Sequence, residues 1–305
     1  MPIDPERALG AELPERTFEW TASDVLLYHL GVGAGADPVD PRELRYAYED
    51  DLRVLPTFGI VAPTLRDTEP PKVALPGIDI DLASVLHGHQ QITVPGPLPV
   101  VGTGVAHGRI ADLQDKGSAA VIVQETEVRD PAGTLLWTAR SSIFARGEGG
   151  FGGSRGTAAR VALPSRAPDA ELLTPTLPQQ ALWYRLCGDR NPLHADPAFA
   201  ARAGFDRPIL HGLCTWGMVC KAVVDGLLDG DVGQVRGYRA RFAGTVLPGE
   251  TLRTRVWRVD DGFALVTTVI ERDDAPVLSD AMLTAARPRR DLPHRALRRD
   301  QTPLV

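Results

Sequence analysis

The chain has 305 residues, 43% of them hydrophobic and 24% charged, with a formal net charge of −6. That size suits one large or two smaller globular units whose core needs no disulfide or structural metal. Cys187, Cys214 and Cys220 form no CxxC pair, so they read as reduced thiols of a cytosolic protein, and a pI near 5.7 argues against a nucleic-acid binder. The opening MPIDPERALGAELPERTFEW has no basic stretch followed by an apolar run, so no signal peptide is expected. The longest apolar stretch, 208–220, is too short to span a bilayer. A cytoplasmic protein with no membrane contact is the expectation.

In chain order, the first half carries LYHLGVGAG at 27–35, VLHGHQQ at 85–91 and three strand-like runs. These runs, VVGTGVAHGRIADL, SAAVIVQETEV and LLWTARSSIF, are joined by turns at Lys116-Gly117 and Pro131-Ala132-Gly133. The stretch 144–180 is rich in Gly, Pro and Ala and lacks apolar periodicity, so it reads as a linker. A helix is predicted over 178–186. A short one follows over 197–203, with Asp196 as N-cap, Pro197 in the first turn and Gly204 as its end. The strongest helix is 210–228, where Leu213, Trp216, Cys220, Val223, Val224 and Leu227 recur at helical spacing and only Lys221 and Asp225 carry charge. Beyond Gly230 come four extended runs with turns at Pro248-Gly249, Asp260-Asp261-Gly262 and 273–276.

One buried helix followed by antiparallel strands implies a sheet wrapped around that helix. WYRLCGDRN (183–191) echoes LYHLGVGAG, and ILHGLCT (209–215) echoes VLHGHQQ, in the same order. A duplicated unit is therefore predicted. Its parts would be an N-terminal repeat over 1–145, a linker over 146–175, a C-terminal repeat over 176–290 and a basic tail over 291–305. The Arg-rich tail reads as a solvated segment.

The loop CGDRNPLHADP concentrates the chemistry. Gly188 lets the chain leave a helix, and Pro192 pushes Asn191 out of helical geometry. A folded loop can then bring Asp189 and His194 over one spot, where a carboxylate and an imidazole sharing a water can take a proton and return one. Asn191 can hold the loop through backbone hydrogen bonds. Leu-His-Gly at 210–212 opens the buried helix, and the Gly212 N–H there can receive charge developing on a thioester or ester oxygen. Acid, base and oxyanion donor together suit proton chemistry beside a carbonyl. Two other readings compete. His194, Asp196 and His211 could form a two-His, one-carboxylate metal set, although Asp196 is better used as a cap. Cys187 or Cys214 could be a nucleophile, or simply a small buried thiol.

The stretch YRLCGDRNPLHADPAFAARAGFDRPILHGLCTWG (184–217) resembles the signature of the hydratase 2 enzymes, the MaoC-like (R)-specific 2-enoyl-CoA hydratases. The resemblance extends over about 18–288 through LHGHQQITVPGPLP and GGFGGSRG. It implies an α+β double hot dog: two repeats, each a long helix wrapped by an antiparallel sheet, the N-terminal one shaping the acyl pocket with a degenerate site. It places the catalytic pair on Asp189 and His194, the thioester-oxygen donor on Gly212 and a supporting role on Asn191, with no cofactor and no metal. The implied reaction is reversible hydration of a trans-2-enoyl-CoA to a (3R)-3-hydroxyacyl-CoA by a homodimer. A dehydratase acting on 3-hydroxyacyl thioesters of fatty-acid, polyketide or steroid side-chain metabolism is the alternative.

Overall fold

The structure, a computed structural model, describes residues 2–157 and 160–286. The tail at 291–305 and the last residues assigned to the C-terminal repeat lie outside the described residues. In chain order the elements are α1 (Pro5–Ala8), β1 (Arg16–Trp20), α2 (Ala22–Gly31), α3 (Pro41–Ala47), α4 (Phe58–Val61), β2 (Val73–Leu75), β3 (Ile78–Ile80), β4 (Val85–Thr93), β5 (Gly102–Asp115), β6 (Ala119–Arg129), β7 (Leu135–Arg146), β8 (Ala170–Pro175), α5 (Gln180–Tyr184), α6 (Pro197–Arg202), α7 (Gly212–Leu227), β9 (Val235–Phe242), β10 (Thr251–Val259), β11 (Gly262–Val269) and β12 (Ala275–Ala285). Strand β8 uses the last six residues of the stretch read as a linker.

Ten strands form one antiparallel sheet in the order β1-β5-β6-β7-β4-β9-β12-β11-β10-β8. The order is a palindrome. Each half runs from an edge strand through three strands joined by tight turns to a central strand, and β4 pairs with β9 where the halves meet, with His89 opposite Arg241 and Gln91 opposite Arg239. Two helix-and-sheet repeats are thereby fused into one layer, the α+β organisation expected from the sequence.

The C-terminal repeat holds the long helix. In α7 every residue from Cys214 to Lys221 is buried, together with Val223 and Val224. A helix apolar around its whole circumference must be enclosed from all sides. The sheet covers one side and helix α2 of the other repeat closes in at Gly217, where a Cβ would press on the Tyr28 hydroxyl and Val32. The expected long helix is absent from the N-terminal repeat. There α4 has four residues and continues only as a 3-10 turn at Ala62–Thr64. Pro56 precedes it and Pro63 interrupts the helical hydrogen bonding. Aromatic side chains occupy the space instead: Trp20 lies 6.0 Å from Trp137 and 6.2 Å from Phe58, and Gly59 packs closely on Ile92 and Trp137.

The two Tyr-x-Leu segments do correspond in space. Helices α2 and α5 pack together, with the Tyr28 and Tyr184 rings 6.2 Å apart and Gly31 close against the Tyr184 backbone. The Leu-His-Gly echo does not correspond. Leu86-His87-Gly88 lies in β4, whose counterpart in the palindrome is β9, whereas Leu210-His211-Gly212 opens α7.

The charged groups of α3 and α7 that face this core are paired. The Lys221 ammonium in α7 meets Glu43 from α3 at 2.9 Å and Asp225 at 2.8 Å, and the Tyr46 hydroxyl donates to Asp225 at 2.8 Å. His29 is fully buried. Its Nδ1–H donates to the Tyr46 carbonyl at 2.9 Å, and its Nε2 accepts from the Leu55 N–H at 3.1 Å. Burial lowers its pKa to about 3, so it is neutral in the folded protein. An unfolded histidine titrates near 6.5, so His29 contributes stability that is fully present above that pH and is lost as pH falls toward 3. At pH 5 the loss is about 2 kcal/mol. In urea titrations, the drop in stability between pH 7.5 and pH 5.0 is expected to shrink by about that amount in His29→Gln.

Candidate active site

Helix α5 continues as a 3-10 turn at Arg185–Cys187 and stops at Gly188, whose φ is +98°. A Cβ at Gly188 would collide with the carbonyl of Thr64, so the loop that follows is seated on the N-terminal repeat. Arg190 reinforces the seat by donating from Nε to the Asp67 carbonyl at 3.2 Å. Asn191 braces the loop from within. Its N–H donates to Asp189 Oδ1 at 3.2 Å, and its side-chain oxygen caps the 3-10 turn Pro192–His194 by accepting from the Leu193 N–H at 3.0 Å. Asp196 caps α6 through the Ala198 N–H at 2.8 Å, the role its position before Pro197 predicted.

His194 is buried, and its Nδ1 lies 2.8 Å from the Ile209 carbonyl. A carbonyl can only accept, so Nδ1 carries the proton and Nε2 keeps its lone pair. His211 is the N-cap residue of α7. It stacks on His194 with ring centroids 3.7 Å apart and touches the Tyr184 ring at 4.9 Å. Its Nε2–H faces the Asp189 carbonyl at 3.4 Å. Gly212 follows as the first residue of α7, where backbone N–H groups have no intrahelical acceptor. The Phe242 ring lies beneath it, 3.1 Å from where a Cβ would stand.

Asp189, His194 and His211 thus converge, with one ligand-type atom of each within 4.8 Å of the others. The loop brings together the acid and base that the sequence singled out. It adds His211 to them and leaves Asp196 elsewhere. This is the set among the described residues that could hold a metal ion. Electrostatics favour neutral rings. Burial lowers the pKa of His194, Arg185 acts in the same direction, and Asp189 and the Ile209 carbonyl oppose them. His211 is pushed well below its ordinary value by burial and then by His194. Cys187 is buried and its thiol is pushed up to about 12; Cys214 is raised as well, so both are inert packing groups.

Three neighbours escaped the sequence reading. Arg185 and Tyr184 border the histidines. His87 comes from the other repeat. A bulge between His87 and His89 re-aims it, and its ring meets Phe242 at 4.8 Å within the field of Asp189. Among the nearby aromatics, Trp216 is core, stacked on Tyr238 at 4.8 Å; Trp183 is exposed; and Phe205 packs on the cluster around Leu193.

Two glycines flanking the loop separate backbone strain from contact. Gly188 has a positive φ and no room; Gly204, φ +88°, has open space beyond it. Gly204→Ala is expected to cost about 1 kcal/mol. Gly188→Ala is expected to cost about 3 kcal/mol or more and to abolish turnover, as read by denaturant unfolding and steady-state rates.

The profile of the MFE-2 hydratase 2 N-terminal domain matches residues 18–147, and that of the MaoC-like domain matches residues 160–274. The enoyl-CoA hydratase ChsH3 of Mycobacterium tuberculosis is 58% identical over 94% of this chain and 100% of its own length. The crystal structure of a MaoC-like dehydratase from Phytophthora capsici superposes with a TM-score of 0.83 at 30% identity, covering 94% of this chain and 99% of that one. A second Mycobacterium tuberculosis protein, described as a double hot dog, shares the fold at a TM-score of 0.55 and 13% identity, over 92% of this chain and 96% of that one. With both repeats matched and the loop and helix start in place, the chain belongs to the MaoC-like hydratase 2 family, on a double hot dog fold.

Proposed function

We propose that the protein catalyses the reversible (R)-specific hydration of trans-2-enoyl-CoA to (3R)-3-hydroxyacyl-CoA, a hydro-lyase reaction of fatty acid metabolism, as a cytoplasmic homodimer. The observation that carries this reading is a neutral His194 with a free Nε2, set beside Asp189 at the N-terminus of a buried helix.

In this reading a water lies between His194 Nε2 and the Asp189 carboxylate. Asp189 accepts one of its hydrogens and fixes its orientation. Nε2 takes the other as the water oxygen attacks C3 of the enoyl group. The electron pair of the C2–C3 double bond moves toward the thioester, whose oxygen gains negative charge and is held by the Gly212 N–H. The imidazolium then returns its proton to C2 on the same face, so the hydroxyl and the new hydrogen add from one side. Asn191 keeps the Asp189 carboxylate in place, and the N-terminal repeat, which lacks the loop motif, closes the acyl side of the site. Dehydration of a 3-hydroxyacyl thioester is the same path reversed.

Purified protein is expected to bleach the enone-thioester absorbance of crotonyl-CoA and to yield product that an (R)-specific dehydrogenase oxidises. Asp189→Asn and His194→Gln should each lower kcat by about 10²- to 10⁴-fold while the fold is retained. Absence of turnover by folded wild-type protein on short and long enoyl-CoA would refute the assignment. The pH profile adds a separate check. Because His194 must be neutral to accept the proton and its pKa is lowered, kcat/KM should be flat at neutral pH and fall only below about 6.5. An acid limb centred above that value would contradict His194 as the base.

A further inference from the structure

We propose that Asp189, His194 and His211 form a binding site for a divalent transition-metal ion such as Zn²⁺, and that an ion held there reversibly blocks turnover. The binding site stands on geometry alone, and the block rests on the hydratase reading.

The three side chains offer two imidazole nitrogens and a carboxylate oxygen that lie within 4.8 Å of one another. Two imidazoles and a carboxylate make a three-ligand zinc set, in which the fourth position is left to water. Both histidines are braced for this role from their other ring nitrogen. His194 donates its Nδ1–H to the Ile209 carbonyl at 2.8 Å, and the His211 Nε2–H faces the Asp189 carbonyl at 3.4 Å. A backbone carbonyl on one ring nitrogen fixes the tautomer and leaves a lone pair on the other, as around metal-bound histidine. On His211 that lone pair is at Nδ1. This atom is buried, has no hydrogen-bond partner among the described residues, and belongs to a residue only 1% exposed. An acceptor shut away from water with no donor to meet costs free energy, and a cation would satisfy it. The hydration path leaves it idle.

The surroundings are compatible with a bound cation. The rings are neutral, so neither sheds a proton before ligating. Asp189 supplies the negative charge, and Arg185 is the positive charge that acts on both histidines. The rings are stacked at 3.7 Å and inclined by 29°. An ion about 2.0–2.1 Å from each nitrogen needs the two lone pairs to converge, so binding opens the stack. Asp196, the carboxylate that sequence spacing offered to such a set, caps α6 and lies outside the cluster. With an ion in place, the lone pair of His194 and an oxygen of Asp189 are both engaged. Neither can then hold or deprotonate the attacking water, and turnover stops until the ion is withdrawn.

Co²⁺ is the probe, because a protein site of low coordination number gives it intense visible absorption that the hydrated ion lacks. Chelator-treated protein titrated with Co²⁺ is expected to develop that band up to one ion per chain, and Zn²⁺ to displace it. Asp189→Asn and His211→Gln, each shown to be folded by thermal unfolding, should weaken Co²⁺ binding about tenfold or more. Asp196→Asn, which keeps the cap, should bind as wild type does. In the crotonyl-CoA assay, Zn²⁺ should suppress the wild-type rate and EDTA should restore it. No band in wild-type protein, or a band indifferent to both Asp189→Asn and His211→Gln, would overturn the site. A full band with undiminished or raised turnover would overturn the block, since metal-bound water is itself a nucleophile. The Co²⁺ titration needs no substrate. Metal-free protein that turns nothing over would therefore refute the hydratase reading without touching the site, so the two failures are distinguishable.

Discussion

Helix α7 is buried without a break from Cys214 to Lys221, and the enclosure it demands organises the rest of the molecule. Its own sheet covers only part of its circumference. The remainder is covered by α2 of the other repeat, which can approach because Gly217 lacks a side chain, and by α3, whose Glu43 neutralises the Lys221 ammonium. A buried ammonium without such partners would be prohibitively unfavourable. The N-terminal repeat is therefore a structural requirement of the helix that presents Gly212. Its own short helix, between Pro56 and Pro63, is compatible with that role because aromatic rings fill its half of the core.

The same dependence reaches the chemistry. The loop bearing Asp189 and His194 is built by local devices: a left-handed glycine, an Asn cap and a proline turn. Where it sits is decided by the carbonyls of Thr64 and Asp67 from the other repeat. Burial disfavours charge on the stacked imidazoles of His194 and His211, His194 adds to the effect on His211, and a lone pair stays available at His194. Each histidine is oriented by a main-chain carbonyl, so the geometry of the candidate site is anchored to backbone rather than to mobile side chains.

What was legible in the sequence follows the range of the interactions. The caps at Asn191 and Asp196, the exit at Gly188 and the start of α7 are set within a few residues, and they were readable. The strand runs were readable from their patterning and turns. His87 and Phe242 were not, because their place beside the loop depends on strand register and on a bulge in β4, which distant pairing decides. The repeated Leu-His-Gly misled for a related reason. The same tripeptide serves as strand in β4 and as helix start at α7, since tertiary context outweighs so short a local signal. The long helix expected in the N-terminal repeat failed on Pro56 and Pro63, breakers that the repeat argument passed over.

The palindromic sheet has one further consequence, for how the polypeptide reaches its native state. Each half contains sequential hairpins that can zip up from neighbouring residues, so most of the pairing is of short range. The β4–β9 seam joins them at long range. Until it closes, one half bares the unpaired edge of β4, and the other bares both β9 and an apolar α7. Exposed edges and apolar helices invite association with other chains. The junction is thus the step at which a nascent molecule is most vulnerable, and the Gly- and Pro-rich stretch between the halves, by holding them at high effective concentration, shortens that interval.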